Sequence, residues 1–247
     1  MSLLVLGALF AAGCSDGKAA ATAQGEITVF AATSLTGAFN ELTERFEQVH
    51  DDAKVTLNFA ASSALVQQLR EGADADVVAL ADRATMETLR ADRLVRAPVV
   101  IARNRMVIVT KPGNPTEIRS LADLARLDVV SLCGAEVPCG AYAASALRKA
   151  GVSLDASKIT RGQNASAALA AVTEGDAAAA VVYATDARAA GARVSTVPIP
   201  ERHNVVAAYP IATGVGRRNT AGARAFVAFV ISPAGRHVLR AYGFLRA

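Results

Sequence analysis

Short apolar runs of strand length alternate with amphipathic runs of helical spacing, and this alternation limits the fold more than any other feature. Residues 27–31 read as a strand, and Leu35, Ala38, Phe39, Leu42, Phe46 and Val49 then recur at helical spacing across 35–50. Residues 54–59 predict a second strand and 63–71 a helix. The turn Gly72-Ala73-Asp74-Ala75-Asp76 leads to a strand at 77–81 and a helix at 83–91. The β-α-β-α-β order requires parallel strands joined by crossover helices, so the class is α/β.

The pattern then repeats with different lengths. A long β-rich run at 99–110 is interrupted by Arg103-Asn104-Arg105 and broken by Pro112-Gly113-Asn114-Pro115. Helices are predicted at 121–126, 140–150, 164–174 and 185–190, and strands at 128–132, 178–183 and 194–199. A second β-rich run covers 205–216, and helices at 220–231 and 233–242 finish the chain. This layout predicts two lobes, each a mostly parallel sheet flanked by helices, with a cleft between them. The first would comprise 26–103 and 210–247, the second 104–209, with the β-rich runs as crossings. A single doubly wound domain is the alternative that the pattern leaves open. Ligands favour interlobe clefts and the C-terminal ends of parallel strands.

Residues 1–25 are expected to lie outside this fold. An apolar run at 3–12, too short to span a membrane, ends in Ala11-Ala12-Gly13-Cys14 and is followed by polar residues. This is the layout of a signal peptide, and the cysteine after small residues resembles the lipobox of bacterial lipoproteins. No Lys or Arg precedes the run, and Ala11 stands where Leu is commoner. Cys14 is the expected lipid attachment site, with a plain cleaved signal peptide as the alternative. The expected location is the periplasm or the outer face of the plasma membrane. In an oxidising compartment, Cys133 and Cys139, six apart around a turn with Gly134 and Pro138, are expected to form a disulfide. Two cysteines without a nearby histidine make a poor zinc site, and a redox pair would lack the Cys-x-x-Cys spacing.

Two turns share one design. Val29-Phe30-Ala31-Ala32-Thr33-Ser34 and Phe59-Ala60-Ala61-Ser62-Ser63 each end a strand in small residues and a serine that opens a helix. Hydroxyls and free N–H groups at helix starts bind anions, and two such turns suggest an anion held between them. Neither turn contains Lys or Arg, so the binding would use neutral dipoles. The alternative is that Ser34 and Ser62 are ordinary N-caps. The turns also lack a carboxylate acceptor, which a protonated anion such as phosphate requires; Asp74 and Asp76 are expected to shape a turn.

Composition excludes other classes. The 26 basic and 22 acidic residues, net charge +4, are scattered without a basic block, and aromatics make up 5%; a basic groove with stacking aromatics for nucleic acid is not expected. No Gly-x-Ser-x-Gly elbow, metal-ligand cluster or dinucleotide fingerprint is present. The chain is expected to be a binding protein and not an enzyme, without cofactor or metal.

The ordered motifs carry a resemblance. Residues 29–36 and 59–65, Ala73-Asp74-Ala75-Asp76-Val77, Asn104-Arg105-Met106-Val107-Ile108-Val109, Ser120-Leu121-Ala122-Asp123-Leu124, Val137-Pro138-Cys139-Gly140-Ala141-Tyr142-Ala143, Val181-Val182-Tyr183-Ala184-Thr185-Asp186-Ala187, Tyr209-Pro210 and Tyr242-Gly243-Phe244 follow in order. Together they resemble the periplasmic molybdate-binding proteins of ABC importers, from Glu26 to the C-terminus. The resemblance implies a type II periplasmic binding-protein fold. It also implies an oxyanion held by Ser34 and Ser62 from one lobe and by the Cys139 and Ala165 amides and the Tyr183 hydroxyl from the other. Ser63 is the alternative to Ser62. The family usually has alanine at the Cys139 position, and often carries Glu-Asp-Val or Glu-Asn-Val at the Ala165 position. The implied ligands are molybdate and tungstate, with the smaller sulfate bound weakly. The implied partner is a membrane permease driven by an ATPase, with the binding protein a monomer. Sulfate or another solute is the alternative cargo.

Overall fold

The computed structural model describes residues 24–247. The expected signal segment and the Cys14 lipid site lie outside the described residues. Nine strands and eight α-helices follow one another as β1 Gly25–Ala32, α1 Thr36–Val49, β2 Ala53–Ala60, α2 Ser62–Arg70, β3 Val77–Ala79, α3 Arg83–Ala91 and β4 Val95–Thr110. Then come β5 Val130–Cys133, α4 Pro138–Lys149, β6 Ile159–Gly162, α5 Ala165–Thr173, β7 Ala179–Tyr183, α6 Ala184–Ala190, β8 Ser195–Pro198, β9 Val206–Gly214, α7 Thr220–Ile231 and α8 Pro233–Ala241. A 3-10 turn at Thr33–Leu35 runs directly into α1, and Leu121–Arg126 forms a longer 3-10 segment.

The strands form two sheet regions joined by β4. In the first, the order is β2-β1-β3-β9-β4, with β1, β2 and β3 parallel and β9 antiparallel to both β3 and β4. In the second, β6, β5 and β7 are parallel, while β4 is antiparallel to β7 on one side and β8 on the other. Residues 95–105 of β4 pair with β9 and residues 106–110 pair with β7. The chain therefore passes between the two regions within one strand. The boundaries expected at 103/104 and 209/210 fall inside β4 and β9.

Arg103-Asn104-Arg105 does not interrupt β4 because strand alternation absorbs it. Both arginines face solvent and Asn104 is buried. The buried amide is satisfied: Asn104 Nδ2 donates to Thr185 Oγ1 at 2.8 Å, and Oδ1 accepts from the Arg105 N–H at 2.9 Å. Just beyond it, buried Asn204 clamps the other crossing. Its Oδ1 accepts the Met106 N–H at 3.0 Å and its Nδ2 donates to the Met106 carbonyl at 2.9 Å.

The strand β6 had no clear signal in the sequence. It is four residues long, sits at the sheet edge on β5, and has no buried residue to give it an apolar pattern. The C-terminal helices pack on the first sheet region and on α1. Phe226 of α7 packs edge-on against Phe39 and Phe46 of α1, with ring centroids 6.2 and 5.2 Å apart. Burying rings of this size contributes on the order of 1.5–3 kcal/mol each, and these three rings fix α7 against α1.

Candidate functional site

Six strands end at one place. Beyond the C-terminal ends of β1, β2, β3, β5, β6 and β7, the chain lines a cavity of about 20 Å³. Its wall is made of Ala32-Thr33-Ser34, Ala60-Ala61-Ser62, Ala81, Val137-Pro138-Cys139, Asn164-Ala165 and Tyr183. One water needs about 10–15 Å³, so the space suits one compact solute.

All five residues expected from the sequence, Ser34, Ser62, Cys139, Ala165 and Tyr183, lie on this wall. Ser62 faces the cavity, and its neighbour Ser63 is not part of the wall. Four helical starts open here. Ala32 and Ala61 occupy the cap positions before the Thr33 turn and α2, and Val137 the one before α4; none has a side chain that takes up the free amides. Asn164 caps α5, its Oδ1 accepting from the Ala167 N–H at 2.9 Å, which leaves the amides before Ala167 outside that bond. The first amides of a helix have no intrahelical partner, and each start carries a partial positive charge.

Neither serine is an N-cap. Ser34 Oγ lies 2.9 Å from Tyr209 Oη, and Ser62 Oγ accepts from the Ala81 N–H at 3.0 Å. The local sequence explains this. Small residues at 31–32 and 60–61 let the chain turn sharply from strand to helix, and the caps fall on alanines, one or two residues before each serine.

The wall contains no Lys, Arg, His, Asp or Glu. Its one titratable group, the Tyr183 phenol, is 2% exposed and makes no hydrogen bond among the described residues. Burial pushes its ionisation well above the ordinary range, with Tyr209 and Tyr142 adding to the effect, so Tyr183 stays a neutral donor. A buried hydroxyl without a partner costs about 1–3 kcal/mol, a cost that an acceptor in the cavity would relieve.

The Cys139 amide is held by two restraints. Cys133 and Cys139 form a disulfide with their Cα atoms 5.8 Å apart, closing the loop between β5 and α4. Gly140 then packs its backbone on that loop, where a Cβ would collide with the Gly134 carbonyl. Pro138 belongs to the first turn of α4 and not to the loop turn. Asp76 does more than shape its turn: its carboxylate accepts from the Thr28 N–H at 2.8 Å.

Behind the wall, Asp186 is buried and accepts from the Tyr183 N–H at 3.1 Å. Burial raises its carboxyl from 3.8 to about 7, while that N–H bond acts in the lowering direction. A larger cleft of about 530 Å³ adjoins Ser34 between α1, α5, α6 and α8. It carries Arg188 and Arg193 together with Glu174 and Asp186, a mixed set that does not converge on one sign of charge. Among the described residues, no group of three or more His, Cys, Asp or Glu side chains could hold a metal, and no helix is long and apolar enough to cross a membrane.

Residues 27–245 match the family of bacterial extracellular solute-binding proteins. The chain belongs to that family. This solute-binding protein is also 40% identical over 223 residues to the molybdate-binding protein ModA of Mycobacterium tuberculosis, a match covering 89% of this chain and 84% of the relative. It therefore belongs with the ModA proteins within the wider family. Among solved structures, the periplasmic molybdate-binding protein of Azotobacter vinelandii has a TM-score of 0.81 at 19% identity, covering 90% of this chain and 99% of that one. The sulfate-binding protein SubI of Mycobacterium tuberculosis has a TM-score of 0.78 at 17% identity, covering 90% and 87%. These two likenesses show the two-lobed α/β binding-protein fold.

The sequence did not single out Tyr209, Asn104, Thr33 or the Ala81 amide as site groups. Tyr209 and Asn104 sit in the long β-rich runs, where strand pattern alone gives no sign that their polar ends meet behind Ser34.

Proposed function

We propose that this protein binds molybdate, and tungstate alongside it, in the small cavity and delivers it to an ABC importer. One observation carries the reading: four helical starts and the hydroxyls of Ser34, Ser62 and Tyr183 line a space without any acidic or basic side chain. Molybdate is a tetrahedral dianion without a proton at neutral pH, so it accepts hydrogen bonds and donates none. The donors are the Ser34, Ser62 and Tyr183 hydroxyls and the Cys139 and Ala165 amides. Each hydrogen bond to a charged group contributes about 1.5–3 kcal/mol, and each helix start about 0.3–1 kcal/mol. Neutral donors avoid the penalty of burying a lysine or arginine.

The two lobes, 26–103 with 210–247 and 104–209, close over the anion by a hinge at the β4 crossing, the ligand selecting the closed state. The closed monomer docks on a membrane permease. Cys14 carries the lipid that holds the protein at the membrane surface after the signal peptide is removed. The cavity is a binding site and carries out no reaction.

Sulfate is the second reading, because it is also a proton-free tetrahedral dianion and the same fold occurs in a sulfate-binding protein. The 40% identity to a molybdate-binding protein favours molybdate. Calorimetric titration with molybdate, tungstate, sulfate and phosphate separates them. Molybdate and tungstate should bind tightly, sulfate weakly and phosphate not measurably. Sulfate binding as tight as molybdate would replace this reading with the second.

A further inference from the structure

We infer that Tyr209 and Asn104 are positioning residues that orient the Ser34 hydroxyl to donate into the cavity, and so strengthen the binding of an unprotonated oxyanion. The inference rests on the reading of the cavity as an oxyanion site and adds two residues that do not touch the ligand space. Asn104 begins the relay. Its Oδ1 accepts from the Arg105 N–H, which sets the amide orientation and turns Nδ2 toward Tyr209 Oη at 3.3 Å. An amide nitrogen donates only, so the Tyr209 oxygen accepts. Tyr209 is fully buried, and its single proton needs an acceptor of its own. Among the described residues, the group within hydrogen-bond distance for that proton is Ser34 Oγ, at 2.9 Å. Tyr209 therefore donates to Ser34, and the Ser34 proton is left to face the cavity.

Ser62 is set in the same sense by a different device. The Ala81 N–H occupies its oxygen at 3.0 Å, and a backbone amide cannot reverse. Both serines thus have their protons free to donate to the ligand. An unprotonated dianion satisfies them.

The test is a cycle of Tyr209→Phe, Ser34→Ala and the double variant, each checked for native circular dichroism and titrated with molybdate and sulfate. Without the Tyr209 hydroxyl, the half-buried Ser34 can turn its proton away from the ligand. Tyr209→Phe should weaken molybdate and sulfate binding about tenfold, the scale of one hydrogen bond to a charged group. In the Ser34→Ala background it should change neither. Asn104→Asp, whose carboxylate would draw the Tyr209 proton away from Ser34, should weaken molybdate binding in the same way and serves if Tyr209→Phe does not fold. Unchanged molybdate affinity in Tyr209→Phe, or additive losses in the cycle, would overturn the inference. If the wild-type protein does not bind molybdate, it is the assignment of the cavity that fails.

Discussion

The Ser62 hydroxyl oxygen accepts a hydrogen bond from the Ala81 N–H at 3.0 Å, tying the start of α2 to the chain just beyond β3. Ser62 is 1% exposed, so this bond has no competition from water. Ser62→Ala should act twice. It removes a donor to the anion, lowering affinity at least tenfold, at about 1.5–3 kcal/mol per charged hydrogen bond. It also strands the Ala81 amide, lowering stability by about 1–3 kcal/mol. Ser34→Ala should lower affinity on the same scale. Titration calorimetry and thermal unfolding measure the two effects separately; intact affinity in both variants would remove the serines from the site.

Tyr183 gives the opposite balance. Its hydroxyl is buried and unpaired among the described residues. Tyr183→Phe should leave the ligand-free protein as stable as wild type or more so, while affinity for molybdate falls about tenfold. Unfolding curves with and without ligand check this. A loss of stability without ligand would show that the hydroxyl has a structural partner.

The disulfide makes a third prediction. It fixes the short loop before the Cys139 amide, and a cross-link of a loop this size contributes about 2–3 kcal/mol in the chain-entropy view. Mild reduction, or Cys133→Ser with Cys139→Ser, should lower the melting temperature and weaken molybdate binding, while a backbone donor at 139 remains. Unchanged binding after complete reduction, followed by a thiol count, would separate the loop from the site.

Asp186 predicts a pH dependence. Its folded pKa, about 7, lies above the ordinary value of 3.8 because the carboxylate is buried. A raised carboxyl pKa means that the folded state holds the proton more tightly. The stability it contributes is fully present below about pH 4 and is lost as pH rises through 7. Asp186→Asn keeps an oxygen acceptor for the Tyr183 amide. Melting temperatures from pH 5 to 8.5 should therefore fall less steeply in this variant, with a stability gain over wild type above pH 7. Parallel curves would show that Asp186 does not titrate in this range.

Much of this was legible in the chain. Helices such as α1 were readable because their apolar positions keep a 3.6-residue period, and β1 because it is a largely buried run ended by small residues. Ser34, Ser62, Cys139, Ala165 and Tyr183 were legible through ordered motifs, which the fold brings onto one wall. What was hidden depended on tertiary pairing. Edge strand β6 buries none of its residues, so no apolar period marks it. Asn104 resembled a strand break because its amide is satisfied by Thr185 and Tyr209, more than eighty residues away. The serines read equally well as caps until the alanine caps and the Ala81 and Tyr209 contacts were seen.

A crystal structure of the protein grown with molybdate, with the metal located by its anomalous scattering, tests the central claim most directly. One strong peak should lie in the small cavity, with its oxygens within hydrogen-bond reach of Ser34 Oγ, Ser62 Oγ, Tyr183 Oη and the amides of Cys139 and Ala165. A peak in the larger cleft beside Arg188 and Arg193, or no ordered molybdate at saturating concentration, would contradict the account.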